Sequence, residues 1–357
     1  MPNPTDGVGQ TMKTLVRPAD LDADRDVLIQ LMLRYLTPMS DGPRYDWLYR
    51  KNPDGQAQLW ILTDADKSTI IGSAGIVPRR MHVRGQEKLG AILVDFWIHP
   101  EYRSLGPALQ LQRACLAGID AGPYALYYDF PERSMVAVYR RLGVESSQAV
   151  VRMTKLLSLE KKLGKIGRVP IFGRSLIAGA NGIIRLLDIG KRSRSECVIR
   201  EQKEACGEDF TVLAQSASAG YGVCVARTAG YLNWRFRSHF HNRYEMLTAH
   251  RDGVLMGYVL FLDGGETATI VDLFGVEDLK MKSDLVCAAL ELLRQRGVYS
   301  INAPSLHLHT SITLLRKLGF HPRETHPVMI SKSNGASGAS VDLEGQNVFL
   351  MDGDRDS

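Results

Sequence analysis

The sequence predicts an α/β protein made of two tandem domains of the same kind, each a mixed, partly parallel sheet flanked by helices. Three observations support this prediction. The chain has 357 residues, a length that favours two domains of ordinary size. Patterns typical of strands and of amphipathic helices alternate along it. Blocks of the first half also recur in the second half, in the same order.

The internal repeat is visible in four pairs of segments. The stretch YDWLYRKNPDG, which begins at Tyr45, is echoed by YLNWRFRSHF from Tyr231, and ILVDFWI is echoed by TIVDLFG. Further along, LQRACLAGIDAG is echoed by VCAALELLRQRG, and VYRRLGV by LLRKLGF. Four blocks in one order indicate a duplicated unit of about 150 residues, within the usual size of one domain.

The elements of the first copy follow from local patterns. LDADRDVLIQLMLRYL has apolar residues at helical spacing, and the strand-like runs AQLWILTD and TIIGSAGIVPRRMHV are joined by a polar turn. The strand GAILVDFWI precedes a helix that we expect from Pro107 to about Gly118, and YALYYDF is the next strand. The helix ERSMVAVYRRLG ends at Gly143, a favourable C-terminal residue, and the strand QAVVRMTKLL closes the copy.

These patterns divide the chain into four parts. We expect a disordered N-terminus at 1–13, a first domain at 14–156, a basic linker with an apolar helix at 157–207, and a second domain at 208–350. Inside the second domain, the Gly/Ser-rich stretch near 331–346 predicts a flexible loop. The following NVFLM predicts one last strand before an acidic end.

Composition narrows the class of protein. With 45% hydrophobic and 23% charged residues, the chain resembles ordinary soluble proteins rather than disordered ones. The sequence has neither an apolar leader nor a stretch of about 18 apolar residues, so we expect no secretory signal and no membrane span. The five cysteines lack metal-ligand spacing, which predicts buried thiols and neither structural disulfides nor a zinc site. Together these features predict a cytoplasmic protein.

Positive charge is concentrated in one segment. Residues 152–200 contain twelve Lys or Arg against three Asp or Glu, whereas the whole chain has a net charge of only +5. This distribution excludes a DNA-binding face spread over the protein. The segment is a candidate for peripheral contact with the inner face of an anionic membrane, and packing of its apolar helix between the domains is the alternative.

The loop after the strand GAILVDFWI carries the main functional signal. In HPEYRSLGPALQ, the residues from Leu105 would form the first turn of a helix, whose leading amides have no partner within the helix. Such amides bind phosphate, and Arg103 adds a positive fork of donors while Gly106 allows close approach. The alternative is an ordinary strand-to-helix turn with a surface arginine.

This loop and the order of elements resemble the GNAT superfamily of acyl-CoA N-acyltransferases. The family motif [Q/R]-x-x-G-x-[G/A] matches Arg103 to Ala108, and a downstream motif like Tyr-x-x-x-Gly-Phe matches Tyr139 to Val144. The resemblance covers about 14–156 and, with weaker motifs, about 208–332. The segments WLYRKNPDG and YLNWRF also resemble GNAT-type proteins of bacterial exopolysaccharide and cell-envelope gene clusters.

The resemblance implies acetyl-CoA or another acyl-CoA as co-substrate, with no metal. The diphosphate of CoA would be bound by the loop residues Arg103, Ser104, Leu105, Gly106, Pro107 and Ala108. The pantetheine arm would contact the strand before the loop, at Phe96, Trp97 and Ile98. Pro107 departs from a full set of donors, since proline has no N–H.

The resemblance also implies two catalytic groups. Tyr139 would protonate the departing thiolate, with packing of its ring against the sheet as the alternative. Asp95 is a candidate general base, because burial in an apolar strand raises the pKa of a carboxyl. However, Asp272 occupies the same place in the second copy, which favours a structural role, and Glu132, Glu145 or a chain of waters could serve instead.

The second copy lacks the motifs needed for catalysis. GVEDLKMKSDLV has neither Arg nor Gly at the required places, and Leu315 replaces the tyrosine, so this copy would complete an acceptor cleft or stabilise the first domain. Trp47 and Trp234 are candidate aromatic platforms for a sugar or another acceptor, although core packing is the commoner role of tryptophan. His307 and His309 lack a third ligand, so we expect no metal site.

The favoured function is acyl transfer from acyl-CoA to a small-molecule primary amine by direct attack in a ternary complex. An amino sugar or an envelope-polysaccharide precursor is the acceptor that the subfamily resemblance implies. Aminoacyl transfer from tRNA to a cell-wall precursor is one alternative, and a non-catalytic scaffold in an envelope-assembly complex is another. The sequence leaves the oligomeric state open.

Overall fold

The computed structural model describes residues 13–144, 148–158, 195–306, 309–343 and 345–356. The first copy has a sheet flanked by helices and a single turn of π-helix at Asp46–Arg50. Its strands are β1 Thr14–Pro18, β2 Gln58–Asp64, β3 Ile70–Val83, β4 Gln86–Ile98, β5 Leu126–Asp129 and β6 Gln148–Leu156. Its helices are α1 Arg25–Tyr35, α2 Gly42–Tyr45, α3 Leu105–Ala121 and α4 Arg133–Arg141.

The second copy repeats this order of elements, including a π-helical turn at Asn233–Arg237. Its helices are α5 Glu208–Ser218, α6 Ala229–Leu232, α7 Leu279–Gln295 and α8 Thr310–Lys317. Its strands are β7 Val198–Gln202, β8 Val223–Val225, β9 Tyr244–Arg251, β10 Val254–Asp263, β11 Thr267–Gly275, β12 Ser300–Leu306, β13 His321–Lys332 and β14 Val348–Phe349.

The same local signals start the short helix in each copy. The Asp41 side chain accepts a hydrogen bond from the backbone N–H of Arg44, and Thr228 accepts one from Tyr231. Side chains of this kind satisfy helix amides that otherwise lack partners. The π-helical turn that follows brings Trp47 and Trp234 to corresponding places in the two copies.

The two sheets join into one because the copies exchange their last strands. The strand order runs β1-β2-β3-β4-β5-β13-β6-β12-β11-β10-β9-β7. Strand β6 of the first copy pairs with β12, and β13 of the second copy pairs with β5. Strand β6, the last strand predicted for the first copy, thus lies between β12 and β13 of the second copy.

A gap opens in the first domain where β4 and β5 diverge. These strands are parallel and their pairing ends at Ile92 and Tyr128, while β4 continues to Ile98. Beyond the last pair, no strand of the described ranges lies next to this edge of β4, so its backbone groups can bind a ligand.

The chain after β13 packs against the rest of the molecule. Ser333 is buried, and the Asp120 carboxylate accepts hydrogen bonds from the Ser333 hydroxyl and from the Asn334 backbone. The predicted last strand is confirmed as β14. The acidic end then turns inward and brings Asp354 to 1% exposure between the two domains.

Several expectations fall outside the described residues. They concern nearly all of the N-terminus at 1–13, most of the basic segment at 152–200 with its membrane contact, Glu145 and His307. Among the helices that are described, none has the length and apolar character needed to cross a bilayer.

Candidate active site

A cavity of about 850 Å³ lies where β4 and β5 diverge in the first domain. The N-terminal turn of α3 borders one end, and the edge of β4, the end of β5 and helix α4 form its walls. The segment after α1 and the C-terminal residues Arg355 and Asp356 border the rest. The cavity therefore brings the sequence-predicted strand and tyrosine together with four residues of the predicted loop, whereas Gly106 and Pro107 are not among its lining residues. The four are Arg103, Ser104, Leu105 and Ala108.

The first turn of α3 presents free amides to this cavity. The backbone N–H of Ala108 bonds to the Ser104 carbonyl at 3.4 Å, and Pro107 has no N–H. No hydrogen bond of the Leu105 or Gly106 amide is found within the described part of the chain. A Cβ atom at Gly106 would meet nothing within 4 Å, so a side chain could be accommodated at this position.

Arg103 adds positive charge beside these amides. Its Nε donates to the carbonyl of Ile98 at 3.1 Å, which fixes the side chain next to the end of β4 while the residue stays exposed. Two amides, one guanidinium and the positive end of a helix dipole suit a diphosphate. The six loop residues therefore offer fewer than six backbone N–H donors to a ligand. The amides of Arg103, Ser104 and Ala108 hydrogen-bond to carbonyl groups of the chain, and Pro107 has no N–H.

The edge of β4 supplies the neighbouring wall. Phe96, Trp97 and Ile98 all lie beyond the last β5 pair and line the cavity. The Trp97 ring stacks on Tyr35 of α1 with the ring centroids 5.0 Å apart, which holds this wall in place. The backbone of the three residues is placed to bond an extended amide-containing arm such as pantetheine.

Asp95 occupies an irregular point of β4. Its φ is +52°, and the β3–β4 register shifts beside it between Ser73 and Gly75. Arg44 donates to both carboxylate oxygens, at 2.8 and 2.9 Å, and the Tyr49 hydroxyl donates at 2.6 Å. These donors occupy both oxygens of the carboxylate. The geometry therefore argues against Asp95 as the general base and favours its fixing the shape of β4.

The second copy contains the same arrangement. The Arg227 guanidinium bonds to Asp272 at 3.1 Å and to Asp354 at 2.7 Å, and the Tyr258 hydroxyl bonds to Asp272 at 2.8 Å. An aspartate held by an arginine and a tyrosine in both copies agrees with the structural alternative that the sequence left open for Asp95.

Tyr139 lies in the wall of the cavity at 1% exposure. Its hydroxyl donates to Asp129 Oδ2 at 2.5 Å and accepts a hydrogen bond from Gln112 Nε2 at 3.2 Å. Burial, followed by the neighbouring Asp129 charge, raises the pKa of Tyr139 well above its usual value. The hydroxyl thus keeps its proton at neutral pH, which a proton donor requires.

Sequence reasoning missed three residues of this cavity. Asp129 ends β5, and burial raises its pKa to about 7 despite the hydrogen bond from Tyr139. Arg355 lies over the Phe130 ring at 4.9 Å, and the Asp356 carboxylate is 3.6 Å from the Arg44 guanidinium. The position of Asp129, a carboxyl at the end of an apolar strand, could have indicated a functional residue. The residues around Arg355 and Asp356 contain no such pattern.

Trp47 and Trp234 do not line the cavity. Their rings stack on each other with centroids 4.5 Å apart, and each indole N–H donates to the backbone carbonyl of the other residue. Arg79 lies over the Trp234 ring at 4.8 Å, and Arg235 lies over the Trp47 ring at 5.4 Å. These contacts between the two domains favour the core-packing alternative. Both residues also border a second cavity of about 690 Å³, and their role as acceptor platforms stays a prediction.

This pair predicts a measurable effect on stability. Replacing Trp234 by Phe removes the hydrogen bond to Trp47 and part of the stacked area, so we expect the free energy of unfolding to fall by about 1–2 kcal/mol. Urea unfolding followed by circular dichroism measures this change. An unaltered midpoint would show that the stack does not contribute to stability.

In the described part of the second copy, the start of α7 is capped by a side chain of the chain itself. The Asp278 side chain accepts hydrogen bonds from the first amides of α7, those of Lys280 and Met281. A carboxylate of the protein itself thus occupies the place where a phosphate would bind. Leu315 is buried at the position of the tyrosine, and the His309 side chain caps α8. These contacts agree with the loss of function predicted for this copy.

Residues 22–146 match the family described as acetyltransferase (GNAT) domain. The match lies within the predicted first domain and bears out an acyltransferase of the GNAT type there. No curated protein matches the chain.

Solved structures show the fold of the whole chain. A conserved protein of unknown function from Enterococcus faecalis V583, described as a probable N-acyltransferase, is 14% identical over 91% of this chain and 74% of its own, with a TM-score of 0.66. A tandem GNAT protein from the clavulanic acid biosynthesis pathway is 15% identical over 91% of this chain and all of its own, with a TM-score of 0.57. N-myristoyltransferase from Saccharomyces cerevisiae with bound myristoyl-CoA is 12% identical over 89% of this chain and 82% of its own, with a TM-score of 0.56. The likeness confirms two tandem GNAT-like domains.

Proposed function

We propose that the protein transfers an acyl group, most simply acetyl, from acyl-CoA to a primary amine. The observation that carries this proposal is the pair of unpartnered amides at Leu105 and Gly106, which lie beside Arg103 at the start of α3. They lie at one end of a cavity whose wall is the unpaired edge of β4. A diphosphate at the helix start and an extended pantetheine arm along the strand fit these two features together.

The reacting thioester would lie beside Tyr139. With CoA held by the loop and by Phe96, Trp97 and Ile98, the carbonyl carbon of the acyl group is exposed to an amine that enters from the side of Tyr35 and the C-terminal segment. The amine nitrogen attacks this carbon, and the carbon–sulfur bond then breaks. Tyr139 gives its proton to the departing sulfur, which makes the thiolate a better leaving group.

The acceptor is proposed as a cationic amine. Asp129, Glu132 and Asp356 face the acceptor side of the cavity and favour a substrate that carries positive charge. An amino sugar or an envelope-polysaccharide precursor satisfies this requirement, in line with the resemblance of WLYRKNPDG and YLNWRF to envelope-cluster proteins. Free phosphate-binding amides argue for CoA as donor rather than charged tRNA.

The experiment is a panel of amines incubated with acetyl-CoA: glucosamine, spermidine and glycylglycine. Release of the CoA thiol is measured by absorbance after its reaction with a chromogenic disulfide reagent. The acetylated product is identified by mass spectrometry. We expect amine-dependent CoA release with at least one member. If no member increases CoA release over the protein-free reaction, the proposal is wrong.

A further inference from the structure

Four carboxylates line the cavity, and their surroundings differ. Glu132 is exposed to solvent, whereas the other three make the following contacts. Asp95 is engaged by Arg44 and Tyr49, and Asp356 lies beside the same arginine at 3.6 Å. Asp129 makes no ion pair within 4 Å among the described residues, and it accepts hydrogen bonds from the Tyr139 hydroxyl and from the Phe130 backbone N–H. Asp95 and Asp356 each lie within 4 Å of the Arg44 guanidinium, whereas Asp129 has no cation at this distance in the described part of the chain.

We propose that Asp129 is the general base of the reaction, and that its hydrogen bond to Tyr139 passes the proton from the amine to the departing sulfur. This inference rests on the proposed acyl transfer. It assigns two roles to one bonded pair, because Asp129 accepts the proton that the nucleophile loses and Tyr139 delivers a proton to the leaving group.

The proton transfers balance within the pair. A cationic amine first releases one proton to water, and its neutral nitrogen then forms a bond to the thioester carbon and loses a second proton to the Asp129 carboxylate. The carbon–sulfur bond breaks, its electron pair stays on sulfur, and the Tyr139 hydroxyl gives its proton to this thiolate. Asp129 then returns a proton to the Tyr139 oxygen along the hydrogen bond between them, at 2.5 Å in the resting state. The amide and the CoA thiol leave, and both side chains regain their starting protonation.

The surroundings of Asp129 set the pH at which it works. Tyr139 of α4 and the C-terminal residues Arg355 and Asp356 are the titratable or charged groups facing it, and Cys115 of α3 lies behind Tyr139. Burial and the negative charge of Asp356 raise the pKa of Asp129, the hydrogen bond from Tyr139 and the charge of Arg355 lower it, and the resulting pKa is about 7. A base must be ionised to act, so turnover should rise as the pH increases through this value.

The test is the pH dependence of kcat with saturating acetyl-CoA and the most active amine of the panel. In the wild-type protein we expect a rising limb near pH 7. Asp356→Asn removes a negative charge and should move the limb to lower pH, whereas Arg355→Gln removes a positive charge and should move it to higher pH. Asp129→Asn should lower kcat about 100-fold or more and abolish the limb while acetyl-CoA binding is kept.

A matched control separates catalysis from folding. The Tyr102 hydroxyl donates to the Asp64 carboxylate in the same domain but away from the cavity, so Asp64→Asn removes a bond of the same kind. This variant should retain the limb near pH 7. If Asp129→Asn keeps both kcat and the limb, or if the two charge variants leave the limb in place, the assignment of the base is wrong although acyl transfer stands. Loss of turnover with the whole panel in the wild-type protein overturns the proposed function itself.

Discussion

Replacing Tyr139 by Phe is expected to lower kcat by about 100- to 10,000-fold, the usual contribution of a positioned proton donor. The ring is buried against the cavity wall, so phenylalanine should occupy the same space and keep the packing. Binding of acetyl-CoA should change little, because the loop at Arg103 and Gly106 lies elsewhere in the cavity. Steady-state release of CoA measures kcat, and calorimetry measures binding.

A second tyrosine of the same domain provides the control for this result. Tyr102 is 5% exposed and donates its hydroxyl proton to Asp64, but it does not line the cavity. Tyr102→Phe should therefore lower the free energy of unfolding by the amount expected for the loss of one buried hydrogen bond. Its kcat should not fall as far as that of Tyr139→Phe. Equal losses of kcat in the two variants would mean that Tyr139 acts through folding rather than through the reaction.

Replacing Arg227 by Met is expected to reduce the free energy of unfolding by about 3–5 kcal/mol, because it leaves buried carboxylates without their cation. Arg227 and its partners Asp272 and Asp354 have side chains only 1–2% exposed. Asp354 belongs to the C-terminal segment, so the variant should also loosen the contact between that segment and the second domain. Urea unfolding at neutral pH measures the loss.

The pH dependence of this loss tests its electrostatic origin. Burial raises the pKa of Asp354, and Arg227 opposes this rise. Without the arginine the folded-state pKa of Asp354 rises further above its unfolded value. The stability of such a group is fully present below the unfolded pKa and is lost as the pH rises through the folded one. The variant should thus be closer to wild type at pH 5 than at pH 8, and a constant difference would contradict this explanation.

An exposed ion pair gives the matching comparison for Arg227. Arg17 is half-exposed and bonds to Asp24 at 2.8 Å. Arg17→Met should cost less than about 1 kcal/mol, because water and ions screen this pair. If Arg17→Met lowered the free energy of unfolding as much as Arg227→Met does, burial of the charges would not be the reason for the large effect of Arg227→Met.

The sequence predicted those parts of the fold and site that depend on local patterns. The free amides of Leu105 and Gly106 follow from a strand, a loop with glycine and a helix start, all adjacent in the chain. The degenerate second copy was equally readable, since GVEDLKMKSDLV has neither Arg nor Gly at the required places and Leu315 replaces the tyrosine. Such features need only the neighbouring residues to form, so their sequence signals are strong.

Features that depend on distant parts of the chain were missed. Strands β6 and β13 could each pair within either of two similar sheets. The residue pattern of a strand does not specify which strand it pairs with, so the exchange could not be predicted. The stack of Trp47 on Trp234 depends on how the two copies meet. The C-terminal Asp356 reaches Arg44 across 312 positions of the sequence, a contact that no local pattern could indicate.

The most direct test of the central claim is calorimetric titration of the protein with acetyl-CoA, in wild type and in Gly106→Glu. A glutamate there enters open space, so the variant should fold, but its carboxylate repels the diphosphate and should weaken binding more than about 100-fold. Gly230→Glu is the matched control, since Gly230 is also the exposed second residue of a helix. Saturable binding to wild type and Gly230→Glu with loss in Gly106→Glu is the result we predict. Equal binding to all three proteins, or binding to none, would contradict a CoA site at this loop.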